Sequence, residues 1–318
     1  TSPALAFAPD ECGAVVNGEV TCTAAGAPYA NGIAYGAMAA NDLTINLEAA
    51  AQVNSAGANV GGITGSTFDG DLTINQAGAI LLTGTNSTGV LAVTDRGLLT
   101  VNSSSITSTK DGISASNGAG DTVINAGSIT TTESNANGIA TSTYDGALDI
   151  HVENISTQGH DANGIRVNAV TGAVSITSDG TIQTQGQFSS GVNVMASGDV
   201  VIEVADVTTL YNNSHGIIAQ ATGGALDITA GSVTTGGNDS SDAVRAISSG
   251  ATAGSGAITI DIASGATQGA NSAAIFATND HSDITVTADS LATAGFFSSG
   301  ILTQNIDGRT AILSLIHI

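Results

Sequence analysis

A Gly-Ile or Gly-Val dipeptide recurs along nearly the whole chain, and the spacing between copies is almost constant. The 268 residues from Ile33 to Ile301 divide into ten intervals of 26.8 residues on average. A fixed period of this size is typical of a solenoid, in which each coil packs only on its neighbours. The dipeptides are Gly32-Ile33, Gly62-Ile63, Gly89-Val90, Gly112-Ile113, Gly138-Ile139, Gly164-Ile165, Gly191-Val192, Gly216-Ile217 and Gly300-Ile301, with Ala243-Val244 and Ala274-Ile275 in the two remaining slots.

One repeat, residues 135–160, contains three short segments of β type separated by turns. Residues 139–141 follow an Asn-Gly turn, residues 147–152 alternate apolar and polar side chains, and residues 155–157 form a third short run. No helical period appears. The sequence therefore predicts an all-β, right-handed parallel β-helix of about 11 coils with three short strands per coil. Coils about 4.8 Å apart would give a rod of roughly 50 Å.

The first strand of each coil predicts which side chains face the core. If the Ile or Val of the dipeptide points inward, the next residue points outward and the one after it inward. Arg166 and Arg245 then both point outward, whereas the inward positions are mostly small or apolar. Three residues fit this register loosely. Tyr35 falls at an inward position, where most residues are small or apolar, and Leu91 and Phe276 are apolar residues at outward positions.

The charge of the chain excludes several classes of partner. The net charge is −22, with only five Lys and Arg residues. Nucleic-acid binding needs clustered cations that displace counterions from phosphates, and anionic membrane surfaces would repel such a chain. No run approaches the roughly 18 apolar residues of a membrane helix. We expect no nucleic-acid partner.

The two cysteines, Cys12 and Cys22, predict a small disulfide loop and an oxidising compartment. With no histidine between them they make a poor zinc site. Residues 1–8 look like the end of a secretory signal, since they contain two small-x-small patterns. An apolar N-terminal segment of another kind is the alternative.

The N-terminal segment also carries a resemblance to a known family. Cys12 precedes Asn-Gly-Glu-Val-Thr-Cys-Thr at residues 17–23, Pro-Tyr-Ala-Asn-Gly-Ile at 28–33 and Leu-Thr-Ile at 43–45. This pattern resembles the start of autotransporter passenger domains of alphaproteobacterial outer-membrane autotransporters, over about residues 9–311. The resemblance implies a signal peptide, passage through the periplasm, and display at the cell surface by a C-terminal transmembrane β-barrel. No barrel-like strands follow Ile301, so we expect the sequence to be incomplete at its C-terminus and the anchor in the outer membrane to lie in a missing C-terminal domain.

These patterns divide the chain into four segments. Residues 1–8 are expected to be a signal-peptide remnant, residues 9–25 an N-terminal cap with the disulfide, and residues 26–311 the β-helix repeats. Residues 312–318 depart from the composition of the repeats. This tail resembles translated sequencing-adapter read-through, and a genuine final strand is the alternative.

No motif predicts a catalytic residue. The Asn-Thr-Asp, Asp-Asp, Gly-His-Gly and Arg-Ile-Lys motifs of galacturonase-like β-helix enzymes do not occur. His215 lies directly before a repeated Gly-Ile, so we interpret it as a turn residue. A lyase would need a basic residue beside calcium-binding acids. Arg166 and Arg245 are three coils apart, and we expect both to be solvated.

Acidic turns are the best candidates for metal binding, and three aromatic residues are candidates for sugar binding. The nonapeptide of calcium-loaded β-rolls is missing, and turn aspartates usually cap their own backbone. We expect no metal or cofactor, and we expect Tyr29, Phe188 and Phe297 to pack under the turns. The acidic turns are Asp69-Gly70-Asp71, Asp239-Ser240-Ser241-Asp242 and Asn279-Asp280-His281-Ser282-Asp283.

The sequence therefore predicts a non-enzymatic passenger domain, acting as a stalk or adhesin at the cell surface. Expected partners are glycans or proteins of host or environmental surfaces. Two alternatives stay open, namely a carbohydrate-active β-helix enzyme of the polysaccharide lyase or hydrolase type and a secreted β-solenoid without a barrel. A groove in which two carboxylates converge would favour the enzyme.

Overall fold

The computed structural model describes residues 12–37, 41–169, 171–249 and 256–314, and in these ranges it contains strands and no helix. The strands stack in parallel as a β-solenoid of about 11 turns, which confirms the predicted architecture. The strands are β1 (Glu19–Cys22), β2 (Ile33–Gly36), β3 (Leu43–Leu47), β4 (Val53–Ser55), β5 (Gly61–Ser66), β6 (Leu72–Gln76), β7 (Ile80–Leu82), β8 (Thr88–Thr94), β9 (Leu99–Ser108), β10 (Ile113–Asn117), β11 (Thr122–Thr131), β12 (Ile139–Thr143), β13 (Leu148–Thr157), β14 (Ile165–Ala169), β15 (Val174–Thr184), β16 (Val192–Ala196), β17 (Val200–Thr209), β18 (Ile217–Ala221), β19 (Leu226–Thr235), β20 (Val244–Ser248), β21 (Ile258–Thr267), β22 (Ala273–Asn279), β23 (Ile284–Thr293), β24 (Ser299–Asn305) and β25 (Thr310–Ser314).

Two sheets form the walls of the solenoid. The narrow sheet has 11 strands, one per coil, in the order β2-β5-β8-β10-β12-β14-β16-β18-β20-β22-β24. The wide sheet has 14 strands, in the order β1-β3-β6-β9-β11-β13-β15-β17-β19-β21-β23-β25, with β4 and β7 beside this path. All strand pairs within these sheets are parallel, as a coil-on-coil stack requires.

The repeated dipeptide sets the register of the narrow sheet. Its Ile or Val pairs with the Ile or Val of the next coil in an unbroken column from Ile33 to Ile301, and the two slots with Ala follow the same column. Every member is buried except Ile301, which is partly buried. The predicted alternation of inward and outward residues is confirmed. Tyr35, which fitted loosely by size, is 2% exposed because it closes the first coil.

The wide sheet differs in one respect from three short strands per coil. The third strand is separate only in β4 and β7, and from β9 onward the second and third strands run together. The reason is that pairing continues on both sides of the corner, as in Ala126 with Val152 and Ser128 with Asn154. The corner bends the strand without breaking the ladder.

The N-terminal end of the solenoid is closed by a compact cap. Cys12 and Cys22 form a disulfide with their Cα atoms 4.8 Å apart. The hydroxyl of Tyr35 accepts from the Cys12 N–H at 3.1 Å and donates to the carbonyl of Gly13 at 2.9 Å. β1 lies beside β3 and extends the wide sheet to this end. The signal-peptide prediction for residues 1–8 lies outside the described residues.

The C-terminal end is open in the described part of the chain. Ile312 of β25 pairs with the core residue Val286, yet it is 48% exposed, and Ile301 is only partly buried. Residues 312–314 of the predicted anomalous tail belong to β25, and residues 315–318 lie outside the described residues.

Candidate functional site

His215 lies beside Asp242 of the next coil, at the corner that leads into the narrow sheet. The Asp242 N–H donates to His215 Nδ1 at 3.0 Å. The same Nδ1 is 3.4 Å from Asp242 Oδ2, and when Nδ1 carries a proton it donates to this carboxylate instead of accepting the N–H. Asp242 Oδ1 accepts the Ala273 N–H at 2.7 Å, and Arg245 Nη1 lies 3.2 Å from Oδ2.

The same arrangement repeats in coils without a histidine, which shows what this position does. Asp111 Oδ1 accepts the Asn137 N–H at 2.7 Å, Asn137 Oδ1 accepts the Asn163 N–H at 3.0 Å, and Asn163 Oδ1 accepts the Ser190 N–H at 2.9 Å. Each side chain caps the backbone of the following coil. His215 is therefore one member of a structural series, in agreement with its interpretation as a turn residue.

The two aspartates of this series have opposite pKa shifts. Burial raises the pKa of Asp111, against hydrogen bonds from Asn137 and the charges of Lys110 and Arg166. Burial also works to raise the pKa of Asp242. Hydrogen bonds with His215 and the Ala273 N–H, together with the charges of His215 and Arg245, outweigh it and lower the pKa.

The acidic turns also serve the backbone, but not in the expected way. The expectation that turn aspartates cap their own turn holds for Asp145, whose Oδ1 accepts the Gly146 N–H.

 Asp71 and Asp283 cap the next coil instead, since Asp71 Oδ1 accepts the Leu98 N–H at 2.8 Å and Asp283 Oδ1 accepts the Arg309 N–H at 2.7 Å. Asp69 lies 3.3 Å from Arg96. Within the described ranges, no three His, Cys, Asp or Glu side chains converge as a metal site.

Arg166 and Arg245 share one outward column but differ in surroundings. The register runs from Arg166 through Asn193 and Ile218 to Arg245, three coils away as predicted. Arg166 is exposed. Arg245 is not simply solvated, because its guanidinium pairs with Asp242 and lies 4.7 Å from the ring centroid of Phe276.

The prediction that three aromatic residues pack under the turns is correct only for Tyr29, which is 2% exposed. Phe188 is 49% exposed and Phe297 is 91% exposed, so for these two the prediction is wrong. The backbone explains the difference, because both residues have a φ of 56° at a corner where most coils place Asn, Asp or Ser. In this left-handed conformation the ring is directed away from the core. Phe188 instead contacts His160, with ring centroids 5.3 Å apart.

A groove on the outer face of the wide sheet is the best candidate for a ligand site. It crosses β6, β9, β11 and β13, is open to solvent and has a volume of about 460 Å³. Its floor consists of small Ala, Ser and Gly side chains at the corner between the second and third strands. Its polar lining is Asn75, Gln76, Asn102, Asn125, His151 and Glu153.

Amide side chains form a continuous ladder along this groove. The Nδ2 atoms of Asn75, Asn102 and Asn125 each donate to the Oδ1 of the asparagine one coil earlier, at 2.9 Å. Asn46 ends the ladder by donating to Glu19 Oε1 at 2.7 Å. The sequence signal was a polar residue after each Leu-Thr-Ile-like strand, which the alternation places outward. We refer to the groove lined by this ladder, from Asn75 to Glu153, as the amide groove.

One end of the amide groove carries a histidine and two carboxylates. His151 follows Asn125 in the register, and its Nδ1 lies 2.9 Å from Thr177 Oγ1. Its Nε2 is 3.6 Å from Asp179 Oδ2. Asp179 lies where the pairing of β13 with β15 shifts register, between the pair Val152 and Ser178 and the pair Ile155 and Ile182. Such bulges re-aim side chains, and here the bulge brings Asp179 to His151.

No protein-family model, curated protein or solved structure matches this chain. Among the described residues there is no helix of the length and apolarity needed to cross a membrane.

Proposed function

We infer that the chain is a non-enzymatic passenger domain, which acts as a stalk or adhesin at the cell surface. The observation that carries this proposal is the uniform parallel stack, in which one coil follows another from β2 to β24. Its turn side chains are largely engaged in binding the backbone of the neighbouring coil. A stack of this kind separates its two ends and presents long side faces to solvent.

The N-terminal cap supports the extracellular part of the proposal. A disulfide between Cys12 and Cys22 is typical of oxidising compartments. The resemblance of residues 12–45 to the start of autotransporter passengers adds the surface location and the anchor. The net charge of −22 suits a chain that stays soluble with few basic residues.

The location can be tested in the native cell. We expect an antibody against the purified chain to label intact cells, and added protease to remove the label without lysis. The genomic sequence downstream of this chain should encode alternating strands of a membrane β-barrel. Protein found free in the medium, with no barrel encoded, would favour the secreted solenoid. Protein protected from protease until the cells are lysed would contradict both readings.

The enzyme alternative has one observation in its favour, the presence of Glu153 and Asp179 near His151 at the end of the amide groove. Most glycosidases use two carboxylates that flank the glycosidic bond. Both are exposed to solvent, however, whereas catalytic charges normally act in a site that excludes water. We expect no release of reducing ends from neutral polysaccharides. Release that is lost in Glu153→Gln would establish the enzyme instead.

A further inference from the structure

We propose that the amide groove binds a neutral glycan chain, aligned across the coils from Asn75 to Glu153. This proposal deepens the adhesive function and rests on it. The groove lies on the wide sheet, away from the disulfide cap and from the corner that holds His215. Its volume of about 460 Å³ is within the range of small-molecule sites.

The hydrogen-bonding capacity of the ladder points to a ligand rich in hydroxyl groups. An asparagine amide has two N–H donors and two acceptor lone pairs. The ladder uses one N–H and one lone pair of Asn75 and of Asn102, so each keeps one donor and one acceptor. A sugar hydroxyl is itself donor and acceptor, and it can satisfy both. Successive coils repeat this pair of groups about every 4.8 Å.

Among the asparagines that line the groove, Asn125 keeps the most unused hydrogen-bonding groups. Its Nδ2 donates to Asn102, but within the described residues its Oδ1 accepts no hydrogen bond, because His151 turns toward Thr177. The amide dipoles of the ladder all point the same way and end on the carboxylate of Glu19. Aligned hydrogen bonds polarise one another, which strengthens Asn125 Oδ1 as an acceptor for a ligand hydroxyl.

The charges around the groove favour a neutral glycan over an anionic one. Glu153 lines the groove, and Asp179 lies at its end beside His151. None of the residues that line it is Lys or Arg. A uronic-acid or sulfated polymer would therefore meet negative charge without a cation to pair with it. Carboxylates such as Glu153 instead accept hydrogen bonds from neutral hydroxyls.

The test is affinity electrophoresis of the purified chain in native gels that contain a soluble β-glucan, a mannan, a galactan or polygalacturonate. We expect retardation by at least one neutral polymer and none by polygalacturonate. Calorimetry with oligosaccharides of the retarding polymer then gives the affinity. Asn125→Ala and Glu153→Gln should each weaken it at least about tenfold, as expected for losing a hydrogen bond to a charged or polarised group.

Asn168→Ala is the matched control, because Asn168 is also exposed but lies on the narrow sheet. It should leave the affinity unchanged. Circular dichroism of each variant shows whether the fold is retained, and Glu153→Gln preserves side-chain size if Asn125→Ala does not fold. Retardation by no neutral polymer, or equal affinity of the groove variants and the control, overturns the proposal. Surface display without glycan binding would refute only the proposal that the amide groove binds a glycan. Glycan binding by a protein confined inside the cell would refute only the proposed surface location.

Discussion

At the scale of single residues, the glycine of the repeat is required by a contact with the third strand of its own coil. In seven coils a Cβ atom at this glycine would lie 2.2–2.8 Å from a branched methyl group of an Ile or Val. The two slots with alanine belong to coils whose third strands carry Gly265 and Leu291, neither of which is branched at Cβ. The seven pairs are Gly62 with Ile80, Gly89 with Ile106, Gly112 with Ile129, Gly138 with Ile155, Gly164 with Ile182, Gly191 with Val207 and Gly216 with Val233.

This contact makes Gly138→Ala a destabilising substitution. The new Cβ would lie 2.4 Å from Ile155 Cγ2, and overpacking of this kind costs about 1–3 kcal/mol of unfolding free energy. Adding Ile155→Leu should recover part of the loss, because leucine has no branch at Cβ. Gly300→Ala is the control, since no atom lies within 4 Å of its Cβ. Equal urea midpoints for Gly138→Ala and Gly300→Ala would contradict this explanation.

Asp111 and Asp242 hold equivalent positions but are predicted to respond oppositely to replacement by Asn. A carboxyl whose pKa is raised on folding loses stability as the pH rises through the folded value, so Asp111 destabilises the fold at pH 7. A carboxyl whose pKa is lowered contributes stability above the ordinary 3.8 and loses it as the pH falls through the folded value. Asn keeps the oxygen that caps the next coil in both cases.

We therefore expect Asp111→Asn to raise the urea midpoint at pH 7 and Asp242→Asn to lower stability by about 1–2 kcal/mol. At pH 3 the difference between Asp242→Asn and the parent chain should shrink, because this pH is below the ordinary value of 3.8, so the unfolded chain protonates the carboxyl and folding gains less from its charge. Urea titrations at the two pH values measure both effects. A loss of stability in Asp111→Asn equal to that in Asp242→Asn would show that charge is not the determinant.

At the scale of elements, the N-terminal cap and the coils it covers form a local unit. Cys22 ends β1 and is fully buried, and β1 pairs with β3. Tyr35 connects the cap to the first coil of the narrow sheet through its two hydrogen bonds. Because each coil contacts mainly its neighbours, a change in the cap should be felt nearby and not along the whole rod.

Replacing both cysteines with alanine should lower the free energy of opening the cap by about 2–3 kcal/mol, which is the usual contribution of a disulfide that closes a loop of this size. Hydrogen exchange should become faster in β1, β2 and β3 and stay unchanged in β15 and β17. As a control, reduction of the disulfide in the parent chain should produce the same faster exchange in β1, β2 and β3. Faster exchange throughout the rod would show that the cap controls more than its own end.

At the scale of the whole molecule, the two ends of the described part of the solenoid differ. The first coil is covered by the cap, whereas the last described coil leaves Ile301, Ile312 and Leu313 partly or largely exposed. Within the described residues β24 and β25 each pair on one side only. An open strand edge with apolar side chains is a template for association.

We expect the 318-residue chain to associate through this end as its concentration rises. Ile312→Lys places a charge on the apolar end and should shift the weight-average mass in sedimentation toward the monomer. Leu81→Lys is the matched control, because Leu81 is 40% exposed on the side of the rod. Association that is equally reduced by Leu81→Lys would assign the contact to the side of the rod instead.

The sequence by itself determined the solenoid, the number of coils and the inward column from Ile33 to Ile301, because these depend on a regular period and on alternation within a strand. It also predicted the cysteine pair at one end. It did not predict the exposure of Phe188, because a left-handed φ is unusual for phenylalanine and the repeat period does not indicate which residue adopts it.

The tertiary structure alone decided which side chains meet, both within a coil and between coils. The coils vary in length, from 23 residues between Val90 and Ile113 to 31 between Val244 and Ile275. A bulge shifts the register beside Asp179. Contacts such as those of His151 with Asp179, or of Gly138 with Ile155, depend on these local offsets and on branching at Cβ. A repeat period fixes the position of a residue along the rod, whereas its neighbours depend on how each coil bends.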